Sequence, residues 1–200
     1  MKYLIMCEGP NELEIIRMLL EYDKLIFTED DLLNLVPYHA RQIGKSSAVK
    51  AALNLYHGDV HVLRIGDKLS DQLTIPKEYK GQIKDVKKYC TKPELEMLLI
   101  ISEGLNADFE KEKSKKSPKI FSKEHIVYHR TRYDNSTDFY RNYYGDRIDL
   151  LVDAIKRYKP AVLVIYQELN YGYGDWMNVL IAVTGKAPHF KREQIPIFDC

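Results

Sequence analysis

The sequence predicts an α/β protein built on a parallel β-sheet, and three observations support this prediction. Short, wholly apolar runs of strand length occur at residues 3–7 and 60–65. Runs of this kind are typical of strands that are buried on both faces, as in parallel sheets. Apolar residues at helical spacing lie between these runs, and such alternation favours parallel strands joined by crossover helices.

Within residues 1–66 the predicted elements alternate regularly. In order, they are strand 3–7, helix 11–22 with Pro10 in its first turn, strand 33–38, polar loop 39–45, a helix from Ser46 or Ser47 to Gly58, and strand 60–65. The last strand stops at Gly66-Asp67, and each helix start carries the Pro or Ser that favours helix initiation.

Beyond Asp67 the alternation weakens. In order, we predict a polar loop with an irregular helix at 68–90, a helix that starts at Thr91-Lys92-Pro93 and covers 94–104, a charged stretch at 110–133, a helix from Asp146, a candidate strand at 161–166, and a Gly- and aromatic-rich tail. We therefore assign 1–105 to an α/β core and 106–200 to a basic segment and a helical C-terminal elaboration packed on that core.

Composition excludes several classes of protein. The net charge of +1 over 200 residues predicts no global attraction to polyanions, so any basic surface must be local. The three cysteines are far apart and lack metal-site spacing, which argues against a disulfide framework and favours the cytoplasm. Glu8 and Glu12 interrupt any signal-peptide pattern, and no run approaches the roughly 18 to 20 apolar residues of a membrane helix.

Two carboxylates follow predicted strands directly: Glu8 after strand 3–7 and Asp67 after strand 60–65. In open α/β sheets, ligands bind beyond the carboxyl ends of the strands, so these side chains converge if the strands are neighbours. Converging carboxylates suit Mg²⁺ or Mn²⁺, which prefer oxygen ligands. The pattern predicts a divalent-metal site for phosphodiester chemistry.

The stretch "CEGPNE" at the opening strand–helix unit resembles the start of a Toprim domain, a family found in topoisomerases, primases and nucleases of the overcoming-lysogenization-defect type. The resemblance implies a small Rossmann-like parallel sheet and a catalytic Glu after the first strand, which is Glu8 here. The family's second motif, Asp-x-Asp, matches at Asp67 but has Leu69 at its second position. Asp71 is a candidate replacement if its segment is helical.

The similarity is greater to uncharacterised Toprim-like proteins associated with phage defence, in which a Glu at the start of an apolar helix joins the first Glu and the Asp. "KPELEMLL" resembles that element, with Glu96 the better match and Glu94 beside it. This resemblance, over residues 1–105, implies a Mg²⁺- or Mn²⁺-dependent nuclease of DNA or RNA that works in a defence system with a protein partner. Glu8 would be general acid/base or metal ligand, and Asp67 and Glu96 metal ligands.

Two alternatives remain open. The missing second aspartate favours a catalytically degenerate module that binds nucleic acid or a protein partner. Gly44-Lys45-Ser46 resembles the end of a P-loop, although His39 stands where the first glycine belongs, so a nucleotide-binding protein is a further hypothesis. A milder interpretation is that Arg41 and Lys45 place positive charge near the acidic site, where a phosphate backbone would lie.

The charged stretch 110–133 offers a second candidate surface for nucleic acid. Its lysines, among them Lys113, Lys115 and Lys116, are interleaved with aromatic residues. Basic and aromatic side chains together suit contacts to the phosphate backbone and stacking on bases. The alternative is an exposed, solvated charged segment.

Glu12, one helical turn after Glu8, is a candidate for an outer contact of the metal site or for an ordinary exposed helix residue.

Overall fold

Four parallel strands form the central sheet of the computed structural model, which describes residues 1–25, 27–67, 70–91 and 94–158. The strands are β1 (Lys2–Cys7), β2 (Tyr38–His39), β3 (Val60–Gly66) and β4 (Ile83–Cys90), in the spatial order β2-β1-β3-β4. All three strand pairs are parallel. The structure therefore confirms the predicted α/β class with a parallel sheet.

Helices flank this sheet. They are α1 (Pro10–Glu21), α2 (Ser47–Leu55), α3 (Met97–Ser102), α4 (Asn106–Glu112), α5 (Pro118–His125), α6 (Thr137–Tyr144) and α7 (Ile148–Tyr158). A small hairpin of β5 (Val127–Tyr128) and β6 (Thr131–Arg132) separates α5 from α6. Within the described part of the chain, no helix combines the length and apolar character needed to cross a bilayer.

The two faces of the sheet pack against different helices, because successive strand side chains point to opposite sides. Ile5, Leu63 and Ile65 belong to a large apolar cluster that extends through α1 and α3 to α7. On the opposite face, Leu4, Met6 and their neighbours pack against α2. Burial on both faces explains why β1 and β3 are nearly continuous apolar runs.

Two predictions of secondary structure were wrong. Predicted strand 33–38 is a 3₁₀ turn at Leu33–Leu35 followed by the two-residue strand β2. The segment 68–90, predicted to be a loop with an irregular helix, contains β4. β4 lies at the edge of the sheet, and exposed positions such as Lys84 and Lys87 carry lysine. Lysines protect exposed edges, and here they also mask the apolar pattern of a strand.

The helix boundaries differ from prediction at two places. The predicted helix 94–104 is shorter, at Met97–Ser102, and the helix predicted from Asp146 begins at Ile148 after a 3₁₀ turn. Pro93, the candidate strand 161–166 and the aromatic tail lie outside the described residues.

A candidate acidic site at the carboxyl edge of the sheet

The carboxyl ends of β1, β3 and β4 meet at one edge of the sheet. The Glu8 amide donates to the Ile65 carbonyl at 2.9 Å, and the Thr91 amide donates to the Gly66 carbonyl at 3.0 Å. These bonds continue the ladders one residue past the strands. Glu8 and Asp67 therefore emerge side by side from neighbouring strands.

The Glu8 side chain lies across the backbone of Gly66. A Cβ atom at position 66 would sit 2.6 Å from Glu8 Cγ and closer still to the carboxyl carbon. Only glycine leaves this space open, so the end of β3 admits the carboxylate between the strands. Glu8 is 6% exposed as a result, and its carboxylate lies beside the residue that precedes Asp67.

A buried arginine neutralises Glu8. The Arg64 guanidinium, on β3 and 3% exposed, donates through Nη2 to Glu8 Oε1. Its Nη1 donates to the Asp71 carbonyl at 2.5 Å, and Nη2 lies 3.8 Å from Asp71 Oδ2. Burial raises the pKa of Glu8; Arg64 opposes this rise and the Asp67 carboxylate reinforces it.

Asp71 does not lie on a helix, so the condition under which it would replace the missing aspartate is not met. Residues 71–76 have no regular secondary structure. Gln42 anchors this segment: its Nε2 donates to the Gln72 carbonyl at 2.8 Å, and its Oε1 accepts from the Thr74 amide at 2.9 Å. The anchored segment presents Asp71 to Arg64.

Glu12 lies within electrostatic range of the other three carboxylates. Its side chain folds back over Gly9, where an added Cβ would lie 3.0 Å from Glu12 Cδ. Burial raises the pKa of Glu12, a bond to its own amide partly offsets this, and the carboxylates of Asp67, Glu96 and Glu8 raise the pKa further. Its position one turn after Glu8 was the only sequence signal for this placement, and it also suits an exposed helix residue.

Glu96 reaches the same region from the turn before α3. It is buried, and the Tyr133 hydroxyl donates to its Oε1 at 2.8 Å. That hydroxyl also lies 3.0 Å from the Asn135 side chain and 3.2 Å from the Tyr140 hydroxyl. Glu94 has a different role, because its carboxylate accepts from the Lys119 amide at the start of α5. Sequence reasoning missed Arg64, Tyr133 and Asn135 as neighbours of the acids.

The loop after β2 brings positive charge toward Glu8. Arg41 is exposed and close enough to Glu8 to lower its pKa slightly. Lys45 is exposed in a 3₁₀ turn, and the Ser46 hydroxyl accepts from the Val49 amide as the cap of α2. A P-loop instead directs that hydroxyl to Mg²⁺, so the geometry gives the nucleotide-binding hypothesis no support.

Three lysines of the charged stretch, Lys111, Lys113 and Lys116, form local ion pairs. Lys113 pairs with Glu110 at 2.5 Å, and Lys116 bridges Glu112 and Glu124 at 2.6 and 2.5 Å. Lys115 is exposed. The aromatic residues of this stretch are Phe109, Phe121, Tyr128 and Tyr133. They do not form a stacking surface, because all of them except Tyr128 are buried in the core.

Among the described residues, His, Cys, Asp and Glu side chains bring three ligand atoms within 4.8 Å of one another only at Glu112, Glu124 and His125. Lys116 already pairs with both glutamates of that group. Glu8, Asp67 and Glu96 are close enough to act on Glu12 but are less tightly grouped than this. Ligand oxygens around one Mg²⁺ lie at most about 4 Å apart, so these side chains must turn inward to share an ion.

Comparisons of the chain with protein-family models, with curated proteins and with solved structures gave no match in any of the three.

Proposed function

We propose that this chain is a Mg²⁺- or Mn²⁺-dependent nuclease whose site is the carboxyl edge of the sheet. One observation carries the proposal: acids from three separate places in the chain, Glu8 and Glu12 after β1, Asp67 after β3 and Glu96 before α3, lie close enough at that edge for the other three to act on the charge of Glu12. Neighbouring carboxylates repel one another, which costs free energy, and a bound divalent cation would offset that repulsion. The Toprim-like opening motif supports the same assignment and favours a role in antiphage defence.

The donor set fits such an ion chemically, because all four groups are hard oxygen ligands. Glu12, Asp67 and Glu96 would hold it, with Glu8 added once Arg64 releases it. When bound, the ion would polarise the scissile phosphate and lower the pKa of the attacking water.

Glu8 is the candidate general acid/base. Burial raises the pKa of Glu8 above its ordinary value, and this is the direction that favours a carboxyl group in general acid–base catalysis. Asp67 is exposed, so a substrate can approach it directly. Arg41 and Lys45 are the candidates for contacts to the phosphate backbone beside these acids, and such contacts would bind DNA or RNA without reading its sequence.

A second candidate function is a non-catalytic module that binds nucleic acid or a protein partner. The Glu8–Arg64 ion pair favours it, since a buried guanidinium occupies the carboxylate that the Toprim-like pattern assigns to catalysis. In that case the acids would be a structural remnant, and the basic loop after β2 would still contact phosphates.

Cleavage assays with matched variants test the nuclease proposal. Single- and double-stranded DNA and RNA are incubated with the chain and Mn²⁺ or Mg²⁺. Asp67→Asn should reduce cleavage at least 100-fold, because an amide is a weak ligand for a hard cation. Asp59→Asn is the control: Asp59 precedes β3, at the opposite end of the same strand, and is equally exposed to solvent.

Glu8→Gln and Glu96→Gln should abolish cleavage in the same assay while the circular dichroism spectrum stays that of the wild type. Cleavage that survives Asp67→Asn and Glu8→Gln contradicts the nuclease proposal. Nucleic-acid binding without cleavage under every metal condition identifies the non-catalytic module instead.

A further inference from the structure

Arg64 is a buried cation at the place where the proposed function requires a metal ion. It lies on β3, and its register partner on β1 is Met6, two residues before Glu8. Side chains of Arg64 and Glu8 therefore emerge on the same face of the sheet, and the guanidinium reaches the carboxylate inside the protein.

The guanidinium is shared between two carboxylates of different exposure. Nη2 contacts Glu8 closely and lies 3.8 Å from Asp71 Oδ2. The Glu8 side chain is 5% exposed and the Asp71 side chain 45% exposed. Nη1 already donates to the Asp71 carbonyl, so the guanidinium lies within reach of both carboxylates.

Stability alone explains this arrangement poorly. Arg64 Nε is buried and has no hydrogen-bond partner among the described residues. Removing two charges from water is costly, and the cost is recovered only when the remaining donors are satisfied. If Arg64 served only to stabilise the fold with one fixed partner, all of its donors should be satisfied. An unsatisfied Nε is expected instead if the guanidinium alternates between two partners, because no single position then satisfies every donor.

We propose that Arg64 is a positioning residue of the metal site. It neutralises Glu8 until a divalent cation takes its place, and it then moves to Asp71. This inference rests on the proposed metal-dependent function. It identifies the group that neutralises Glu8 while no ion is bound. Gln42 holds the Asp71 segment in reach of the guanidinium through its two hydrogen bonds.

The exchange makes two charge predictions. Arg64 repels a cation at Glu8 and competes for the carboxylate, so its removal should tighten metal binding. Asp71 accepts the displaced guanidinium, so its removal should weaken metal binding, and only while Arg64 is present. A direct ligand or a simple electrostatic contributor would act whether Arg64 is present or not.

A double-mutant cycle measured by calorimetric titration of the full chain with Mn²⁺ tests this coupling. Arg64→Met should bind Mn²⁺ about tenfold more tightly than the wild type, and Asp71→Asn about threefold more weakly. In Arg64→Met, the additional change Asp71→Asn should have no effect. Lys84→Met is the control, because Lys84 is an exposed cation that pairs with Asp59 at the opposite edge of the sheet.

A second readout is thermal unfolding with and without Mn²⁺. Arg64→Met should gain more in melting temperature from Mn²⁺ than the wild type does, since the ion then neutralises an otherwise unpaired buried Glu8. Arg64→Gln, which keeps a hydrogen-bond donor, provides a second background for the cycle if Arg64→Met does not fold.

The outcomes separate the two proposals. If the wild type binds Mn²⁺ but Arg64→Met binds it no more tightly, or if Asp71→Asn weakens binding equally in both backgrounds, the exchange is wrong and the metal site stands. If neither the wild type nor the Arg64 variants bind Mn²⁺, the metal-dependent function fails and the exchange fails with it.

Discussion

Two charged regions of this protein are organised in opposite ways. At the carboxyl edge of the sheet, Asp67 and Glu96 join Glu8 and Glu12 from distant parts of the chain, and Glu8 is buried with Arg64. In the Lys-rich segment, residues 106–125, paired acids and bases lie three to eight residues apart and are exposed or half-exposed. Lys111–Asp108 and Lys113–Glu110 are i,i+3 pairs of this kind.

Clustered charges have different energetic consequences on an exposed helix and at a buried sheet edge. Alternating charges along a helix neutralise one another locally and contribute little to stability, because water screens exposed pairs. Charges at a sheet edge are placed by the topology, and burial makes each unpaired one costly. An excess of acids at the carboxyl edge of the sheet is therefore stronger support for a functional site than a run of exposed lysines.

The largest expected effect comes from filling the space in which Glu8 lies. Gly66→Ala would place a methyl group against the Glu8 side chain and force the carboxylate away from Arg64. We expect a loss of roughly 2–4 kcal/mol in the free energy of unfolding, measured by urea denaturation. Gly81→Ala is the control, since nothing lies within 4 Å of an added Cβ there. Equal effects at the two positions would show that the Glu8 placement is not structurally demanding.

A smaller effect is expected at the buried acceptor Glu96. Tyr133→Phe removes the hydroxyl that donates to Glu96 and should cost about 1–2 kcal/mol in urea denaturation. Tyr89→Phe is the matched control, because the Tyr89 hydroxyl is buried without a hydrogen-bond partner among the described residues. Its removal should be neutral or stabilising, and a larger loss at Tyr89 than at Tyr133 would contradict the assigned network.

Glu12→Gln should change stability with the opposite sign, and only at neutral pH. Because burial and neighbouring carboxylates raise the folded-state pKa of Glu12, its ionised form destabilises the folded protein above that pKa. The destabilisation fades as pH falls through the folded pKa and is absent below the unfolded pKa. We expect Glu12→Gln to raise the unfolding free energy by roughly 0.5–1 kcal/mol at pH 7 and not at pH 4. Stabilisation that is independent of pH would rule out charge repulsion as its cause.

The smallest effect is expected in the Lys-rich segment. Lys116→Met removes the cation that bridges Glu112 and Glu124, yet all three groups are screened by solvent. The midpoint of urea unfolding should not change measurably at 0.15 M salt. A loss comparable with that of Gly66→Ala would remove the distinction between the two charged regions.

Sequence patterns predicted the central part of the fold because β1 and β3 are buried on both faces, and their sequences are therefore apolar runs. They also placed Glu8 and Asp67 at one edge, since both residues follow such runs. The same reasoning failed at β4, where an edge position allows lysines along an exposed strand and removes the apolar pattern. It failed again at the aromatic residues of 109–133, because the composition of that stretch does not reveal which rings enter the core.

Local patterns in the chain were sufficient to predict the class of the fold and the positions of acids at two strand ends, because these depend on periodicity and on where each apolar run stops. The partners of those acids became visible only in the folded structure. Arg64 and Glu8 are 56 residues apart, and Tyr133 and Glu96 are 37 apart. Such contacts depend on strand register and helix packing, so no local pattern encodes them.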